Sequence, residues 1–364
     1  METQDLIYLV SCAVDGVTPD AERIARMDLD AIYKLARRHM LAATVAPALK
    51  AAGVEDARFA KALEHAALKN AQMDMEMDAV FAELTAAGIW HMPLKGIVLQ
   101  HVYPIYGMRE MSDHDILFDA DRAEDVRTIM EGLGFWTKSY GKSHHDVYYK
   151  KPVSNFQMHR RLFDEKEGEK LFAYYVDVQD RLLGRGYDKH FTPEDFYLYM
   201  IAHEYHHYTG GGTGLRSILD TYVYLQKQSL DMAYVAEEAK KLRIAEYESQ
   251  NRSLAQHLFS GAELTEADQK MLDYIMSSGV YGTINHRVEN TMAKHGYGKI
   301  KYALHRFFVP VSKKNENYAA YAGSYPFFYK HKILLPLLPF YRTFRAIKAG
   351  RFKTEVKALK KAKG

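Results

Sequence analysis

The chain has 364 residues, 48% hydrophobic and 26% charged, a balance that suits a soluble globular protein and excludes disordered, collagen-like and disulfide-scaffold classes. Its single cysteine, Cys12, rules out a disulfide framework or a cysteine zinc site and reads as a small core residue. No run reaches the roughly 18 apolar residues that span a bilayer, and the acidic start METQDLIYLVSCAVDG lacks the basic residues of a secretory leader, so a soluble cytoplasmic protein is expected.

Residues 1–88 read as an N-terminal helical segment. LDAIYKLARRHMLAATVAPALKAAG has apolar residues at helical spacing and stops at Gly53, and residues 56–87 form one or two long helices ending at Gly88. Met73, Met75 and Met77 alternate as a strand would, but their Ala-, Leu- and Glu-rich surroundings favour helix. At residue 89 the pattern changes. Residues 89–94 read as a short strand ended by Lys95 and Gly96, residues 97–103 as a helix stopped by Pro104 and Gly107, and residues 111–118 as a second strand. A helix from about 121 to 133, with acids in its first turn and Gly134 past its end, precedes strands at 135–138, 145–150 and 154–162.

Residues 89–185 are thus an α/β core with a mixed sheet, and residues 186–330 return to helices. Thr192 and Pro193 start one that runs through FYLYMIAHEYHHYTG into a glycine loop at 210–214; LRSILDTYVYLQKQ follows, with Arg216 and Asp220 four residues apart on one face. The last stretch, 331–364, joins the apolar ILLPLLPF to a basic tail. Residues 341–364 hold nine Lys or Arg against Glu355 alone, a net of +8, which leaves −5 of the total +3 on residues 1–340. The apolar run is suited to packing on the body or touching a membrane surface, and the tail to solvent or an anionic partner such as lipid or nucleic acid. The fold class expected is α+β, a small mixed β-sheet core flanked by N-terminal helices and a C-terminal helical domain.

Chemistry concentrates at Ser112, Asp113 and Asp115. Two carboxylates two residues apart on an extended segment share a face, and their like charges repel unless a cation or proton relieves them. Magnesium does so while leaving positions for water and substrate phosphate. D-x-D alone is a common pattern; what adds to it is the company. Gly96, at a strand-to-helix turn beside Lys95, allows close approach of a ligand to the backbone, and the helix N-terminus after it favours phosphate, with Arg109 further along.

The string LKGIVLQHVYPIYGMREMSDHDILF, with its L-K-G turn, Tyr-Pro, Arg and D-x-D before apolar residues, resembles the uncharacterised nucleotidyltransferase family of the DNA polymerase beta-like superfamily. ARRHML at 36–41, F-x-M-H-R-R-L at 156–162 and G-x-x-L-R-x-x-x-D from Gly212 to Asp220 are similar to the same layout, so most of the chain is covered. The resemblance implies an NTP-dependent transferase whose two aspartates hold two magnesium ions. One aligns the triphosphate; the other lowers the pKa of a hydroxyl on an unidentified acceptor for in-line attack on the α-phosphate, with pyrophosphate as product. Asp113 and Asp115 are then the metal ligands, and Lys95, Gly96, Arg109, Ser112, His159 and Arg216 the nucleotide-binding set. Arg109 is either a phosphate contact or a structural ion-pair partner, and Ser112 bonds phosphate or its own backbone. One departure stands out. The third carboxylate of the superfamily falls two residues before the histidine of the third string, and here that residue is Gln157. Asp177 in YYVDVQD is the candidate catalytic replacement; without one, the chain is a nucleotide-binding pseudoenzyme.

Other motifs are weaker. His203, Glu204 and His207 match the H-E-x-x-H of zinc metallopeptidases, but no third-ligand motif follows. Gly141-Lys142-Ser143 lacks the upstream glycine of a P-loop, and His144, His145 and Asp146 read as solvated loop residues. The 27 tyrosines fall mostly at core spacing, and without a basic stripe in the body sequence-specific nucleic-acid binding is not expected.

Overall fold

The computed structural model describes residues 1–165, 168–311 and 318–362; Lys363, one of the nine tail cations, lies outside them, as does the stretch 312–317 of the helical region. Capping carboxylates start the early helices. α1 (Glu2–Asp15) precedes α2 (Ala21–Ala25) and α3 (Leu29–His39), whose first backbone N–H groups donate to Asp20 and Asp28. The helical run expected up to Gly53 breaks at Met40, where φ is 52°, and resumes as α4 (Ala42–Ala51). α5 (Ala57–Ala86) is one helix of 30 residues. Its methionines mark two faces, with Met73 in the core and Met75 exposed.

Next come β1 (His91–Pro93), α6 (Gly96–Leu99), β2 (His114–Phe118), α7 (Ala123–Gly132), β3 (Trp136–Ser139), β4 (His145–Lys150) and β5 (Ser154–His159). The strand order is β1-β2-β5-β4-β3, with β2 and β5 parallel and the other neighbours antiparallel. A parallel pair needs a crossover, and α7 with the β3–β4 hairpin supplies it. Because side chains alternate along a strand, β2 serves two cores and β5 turns one face to a core and the other to polar residues. Ile116, Phe118, Phe156 and Met158 pack with Val80, Leu84 and Val126 of α5 and α7. Leu117 joins a larger core shared with the helices on either side. Asp115, Gln157 and His159 alternate onto that second face.

Expected elements shorten in the structure: the strand at 89–94 keeps only His91–Pro93, the helix at 97–103 is a single turn, the strand at 111–118 begins at His114, and the strand at 154–162 ends at His159.

Helices α8 (Glu169–Tyr175), α9 (Pro193–Gly210), α10 (Leu215–Lys227), α11 (Met232–Leu242), α12 (Ala245–Ser260), α13 (Glu266–Ser278), α14 (Ile284–His295) and α15 (Lys299–Phe308) follow. Thr192 caps α9 by accepting from the Asp195 N–H at 3.0 Å, with Pro193 in the first turn, as its sequence predicts. After α16 (Tyr318–Ser324) and α17 (Pro326–Lys330), the apolar stretch becomes a 3-10 turn, Lys332–Leu337, leading into α18 (Leu338–Lys348) and α19 (Arg351–Lys361). Only part of that stretch docks: Leu338 and Pro339 are buried, whereas Ile333, Leu337 and Phe340 are exposed. A small third core joins Ala358 of α19 to Val288, Met292 and Tyr302. Among the described residues no helix is long and apolar enough to cross a membrane.

Candidate active site

The β2–β5 register places Asp115 opposite Gln157 and Leu117 opposite His159. Asp115 Oδ1 accepts from Lys95 Nζ at 3.1 Å and from His159 Nε2 at 2.7 Å. Burial alone would raise this carboxyl, but the Lys95 ammonium and the His159 bond outweigh it and hold Asp115 well below the ordinary carboxylate range. Asp113, one residue before the strand, accepts from the Gln157 side-chain amide. Burial, and then the negative charge of Asp115, push Asp113 up to about 6, against the opposing charges of Lys95, Arg216 and Lys69. One carboxylate of the pair therefore has a direct ion pair, and the other has only an amide donor and more distant cations. Two carboxylates with excess negative charge form an oxygen donor set suited to a hard divalent cation.

The turn that supplies Lys95 works differently from its sequence reading. Its unusual backbone sits at Lys95 itself, with φ 45° and ψ −115°, and Gly96 is already helical and buried. A Cβ on Gly96 would stand 2.6 Å from Arg109 Nη1 and 2.6 Å from Met111 Cε. Gly96 thus makes room for the arginine behind the turn.

Arg109 is buried and held in a two-pronged ion pair by Asp220, at 2.8 Å through Nε and 2.8 Å through Nη2, while Tyr103 Oη donates to the same carboxylate at 2.7 Å. This is the structural alternative for Arg109, and it takes Asp220 away from its helical neighbour Arg216. Arg216 instead donates to the Glu110 carbonyl at 2.8 Å and directs its charge at Asp113. Ser112 Oγ faces Met40 Sδ at 3.8 Å rather than its own backbone. Asp177, the candidate third carboxylate, is not on a strand. It is exposed at the start of a 3-10 turn, Val178–Arg181, with no described bond to Asp113 or Asp115.

One group goes unread in the sequence and a second is placed differently by the structure. On α5, Lys69 Nζ donates to the Met111 carbonyl at 2.7 Å, and Asn70 Nδ2 to the Arg109 carbonyl at 3.1 Å, fixing the loop that carries Asp113. The available signal was a polar pair, Asn70 and Asp74, on the same helix face as buried Met73. The second group is His144 and His145, which are half-buried rather than solvated. His144 Nε2 lies 3.1 Å from His145 Nδ1, and both rings stand 5.1–5.3 Å from that of His159. Burial lowers His144 to about 3 and His145 to about 4, so both are neutral near pH 7.

On α9, His203 and His207 meet through their Nε2 atoms at 3.2 Å, and burial and Lys95 lower His203. Glu204 turns the other way. It is buried among Ser217, Tyr247 and Asn251, and burial pushes it up to about 7. A metallopeptidase needs its glutamate beside the histidines' metal; here the acid lies in the helical core, and the peptidase reading of this motif fails.

A mixed sheet whose parallel pair carries two acids beside a lysine turn, enclosed by helices, is the architecture of a nucleotidyltransferase core. The chain belongs to the uncharacterised nucleotidyltransferase family, whose model matches residues 25–260. That span contains the whole sheet and α3 to α12. Membership supports nucleotidyl transfer in general, with use of a nucleotide and a divalent metal. No curated protein and no solved structure matches the chain.

Proposed function

We propose that the protein transfers a nucleoside monophosphate from an NTP to a hydroxyl acceptor, with magnesium held by Asp113 and Asp115. The observation that carries this reading is the unequal acid pair, in which Asp115 is paired with Lys95 and bonded by His159 while Asp113, bonded by the Gln157 amide, has no ion-pair partner within 4.0 Å among the described residues. The bound metal would supply charge neutralisation at the phosphates and acidify the attacking hydroxyl. Lys95 and His159 fix the Asp115 carboxylate in one orientation. Lys69 and Asn70 hold the 109–112 backbone so that Asp113 stays beside it. Arg216 adds positive charge at Asp113, where an anionic phosphate arrives.

A second reading has its own observation. The Gln157 amide bonded to Asp113 brings no third carboxylate, which suits a protein that binds nucleotide without turning it over. Pyrophosphate release from each NTP with magnesium and a panel of hydroxyl acceptors separates the two. Transfer predicts release that falls at least about 100-fold in Asp113→Asn and Asp115→Asn and rises in Gln157→Glu. Nucleotide binding with no release from the wild type or from Gln157→Glu favours the binding-only reading.

A further inference from the structure

We propose that His144, His145 and His159 form a second metal site, adjoining the acid pair through the His159–Asp115 bond, for a zinc-class divalent ion. One nitrogen from each ring lies within 4.8 Å of the others. The 3.1 Å between His144 Nε2 and His145 Nδ1 is close to the ~3.3 Å that separates two nitrogens around a tetrahedral ion with bonds of about 2.0–2.1 Å. The scaffold is rigid. His145 is paired directly with His159 in a β4–β5 ladder of six residue pairs, and His144 immediately precedes it.

One of the rings is hydrogen-bonded to a carboxylate: Asp115 Oδ1 is 2.7 Å from His159 Nε2, while Asp164 Oδ2 stands 3.6 Å from His144 Nδ1, within ion-pair but beyond hydrogen-bond distance. Such carboxylate–imidazole pairs orient histidines that bind metals and raise their basicity. Three imidazoles without a carboxylate among the ligands select zinc, cobalt or nickel over magnesium, and leave the fourth position to water or substrate. Asp115 touches both sites, which couples them through a single carboxylate.

The test uses the full-length protein, stripped with chelator and then titrated with Co2+ and Zn2+ in the presence of excess Mg2+ and without nucleotide. One equivalent should bind, with the visible bands of four-coordinate cobalt bleached by Zn2+. His145→Gln, which removes one of three ligands, should weaken binding by more than the roughly 100-fold that loss of an outer-shell partner costs, while its circular dichroism and melting stay those of the wild type; His203→Ala should leave the stoichiometry at one. Binding no tighter than in His145→Gln, displacement by Mg2+, or loss through His203→Ala instead would overturn the proposal. None of these readouts depends on nucleotide transfer.

An independent observation at the other end of the chain carries a second inference. Ile333, Leu337, Phe340, Phe344 and Ile347 recur every three or four residues across the 3-10 turn and α18, each between 55% and 89% exposed. Lys332, Arg345, Lys348, Arg351 and Lys353 flank them, all exposed. An apolar stripe edged by cations on a helix too short to span a bilayer has the form of an interfacial anchor. We infer that α18 docks on an anionic membrane surface, the phenyl and aliphatic side chains entering the headgroup boundary and the cations meeting lipid phosphates. Exposed Phe and Ile would gain nothing on a nucleic-acid backbone, which the cations alone would serve.

Full-length protein should co-sediment with phosphatidylserine vesicles, bind phosphatidylcholine vesicles at least tenfold less, and lose vesicle binding in Phe344→Asp/Ile347→Asp. Absence of vesicle binding, or binding to duplex DNA or RNA with none to vesicles, would overturn it.

Discussion

A buried guanidinium is tolerated only where its charge is matched, and Arg109 is matched on two nitrogens by Asp220 with Tyr103 as a third partner. Arg109→Met should cost about 3–5 kcal/mol in urea denaturation, because Asp220 is left charged in the core. Arg109→Lys should recover only part of that, since one ammonium cannot reproduce the fork. Glu204 gives a pH-dependent test. Its folded pKa, about 7, lies above its unfolded value, so its contribution is fully present below about pH 4 and is lost as pH rises through 7. Glu204→Gln should therefore raise stability at pH 8 by about 2–3 kcal/mol and have little effect at pH 4. Equal effects at both pH values would show that the acid is not held protonated. At this scale the sequence displayed what is local: Asp113 and Asp115 by spacing, Lys95 by its turn, His159 by its string. The Arg109–Asp220 pair and Lys69 were hidden, because each joins residues far apart in the chain, and the helical rule of four pointed Asp220 at the wrong arginine.

Among the elements, α6 shows how tertiary bonds override local propensity. Its sequence extends helical spacing to residue 103, yet the helix closes after one turn. Tyr103 and Tyr106 donate to Asp220 and Asp74, and the Met108 carbonyl accepts from Thr44 at 2.8 Å, drawing the following backbone into a loop. The strands were legible because apolar alternation survives in isolation; their register was not. That register converts His144 and His145 from apparent loop residues into neighbours of His159. Gly96→Ala tests how tightly the turn is packed. Its added methyl meets Arg109, which Asp220 pins, so we expect a loss of about 1–3 kcal/mol and weaker nucleotide binding. An unchanged melting temperature would mean that Arg109 and Met111 move aside freely.

Across the whole molecule, one core runs from Leu6 in α1 through Met92 and Leu117 of the sheet to Ile275 in α13. The sequence separates a helical segment, an α/β core and a helical domain at residues 88 and 185, and residues from all three contribute to this core. Composition changes there, but the buried surface is shared, and sharing between distant helices leaves no periodic trace. The tail is different. Its cluster of Val288, Met292, Tyr302 and Ala358 stands apart from the main core. Removing α19 should abolish hydrogen-exchange protection in α14 and α15 while β2, β5 and α10 keep theirs. Loss of protection in the sheet as well would show the tail to be part of the common core.

The ion pair between Arg109 and Asp220 also has a consequence in time. Asp220 follows Arg109 by 111 residues, so at about 5–20 residues per second the ribosome delivers the second partner roughly 5–20 s after the first. During that interval the loop carrying Asp113 has its α5 anchors but lacks the cation beside it on α10. A truncated translation product ending before α10 would therefore carry Asp113 and Asp115 without Asp220, the partner of Arg109, or Arg216, whose charge acts on Asp113.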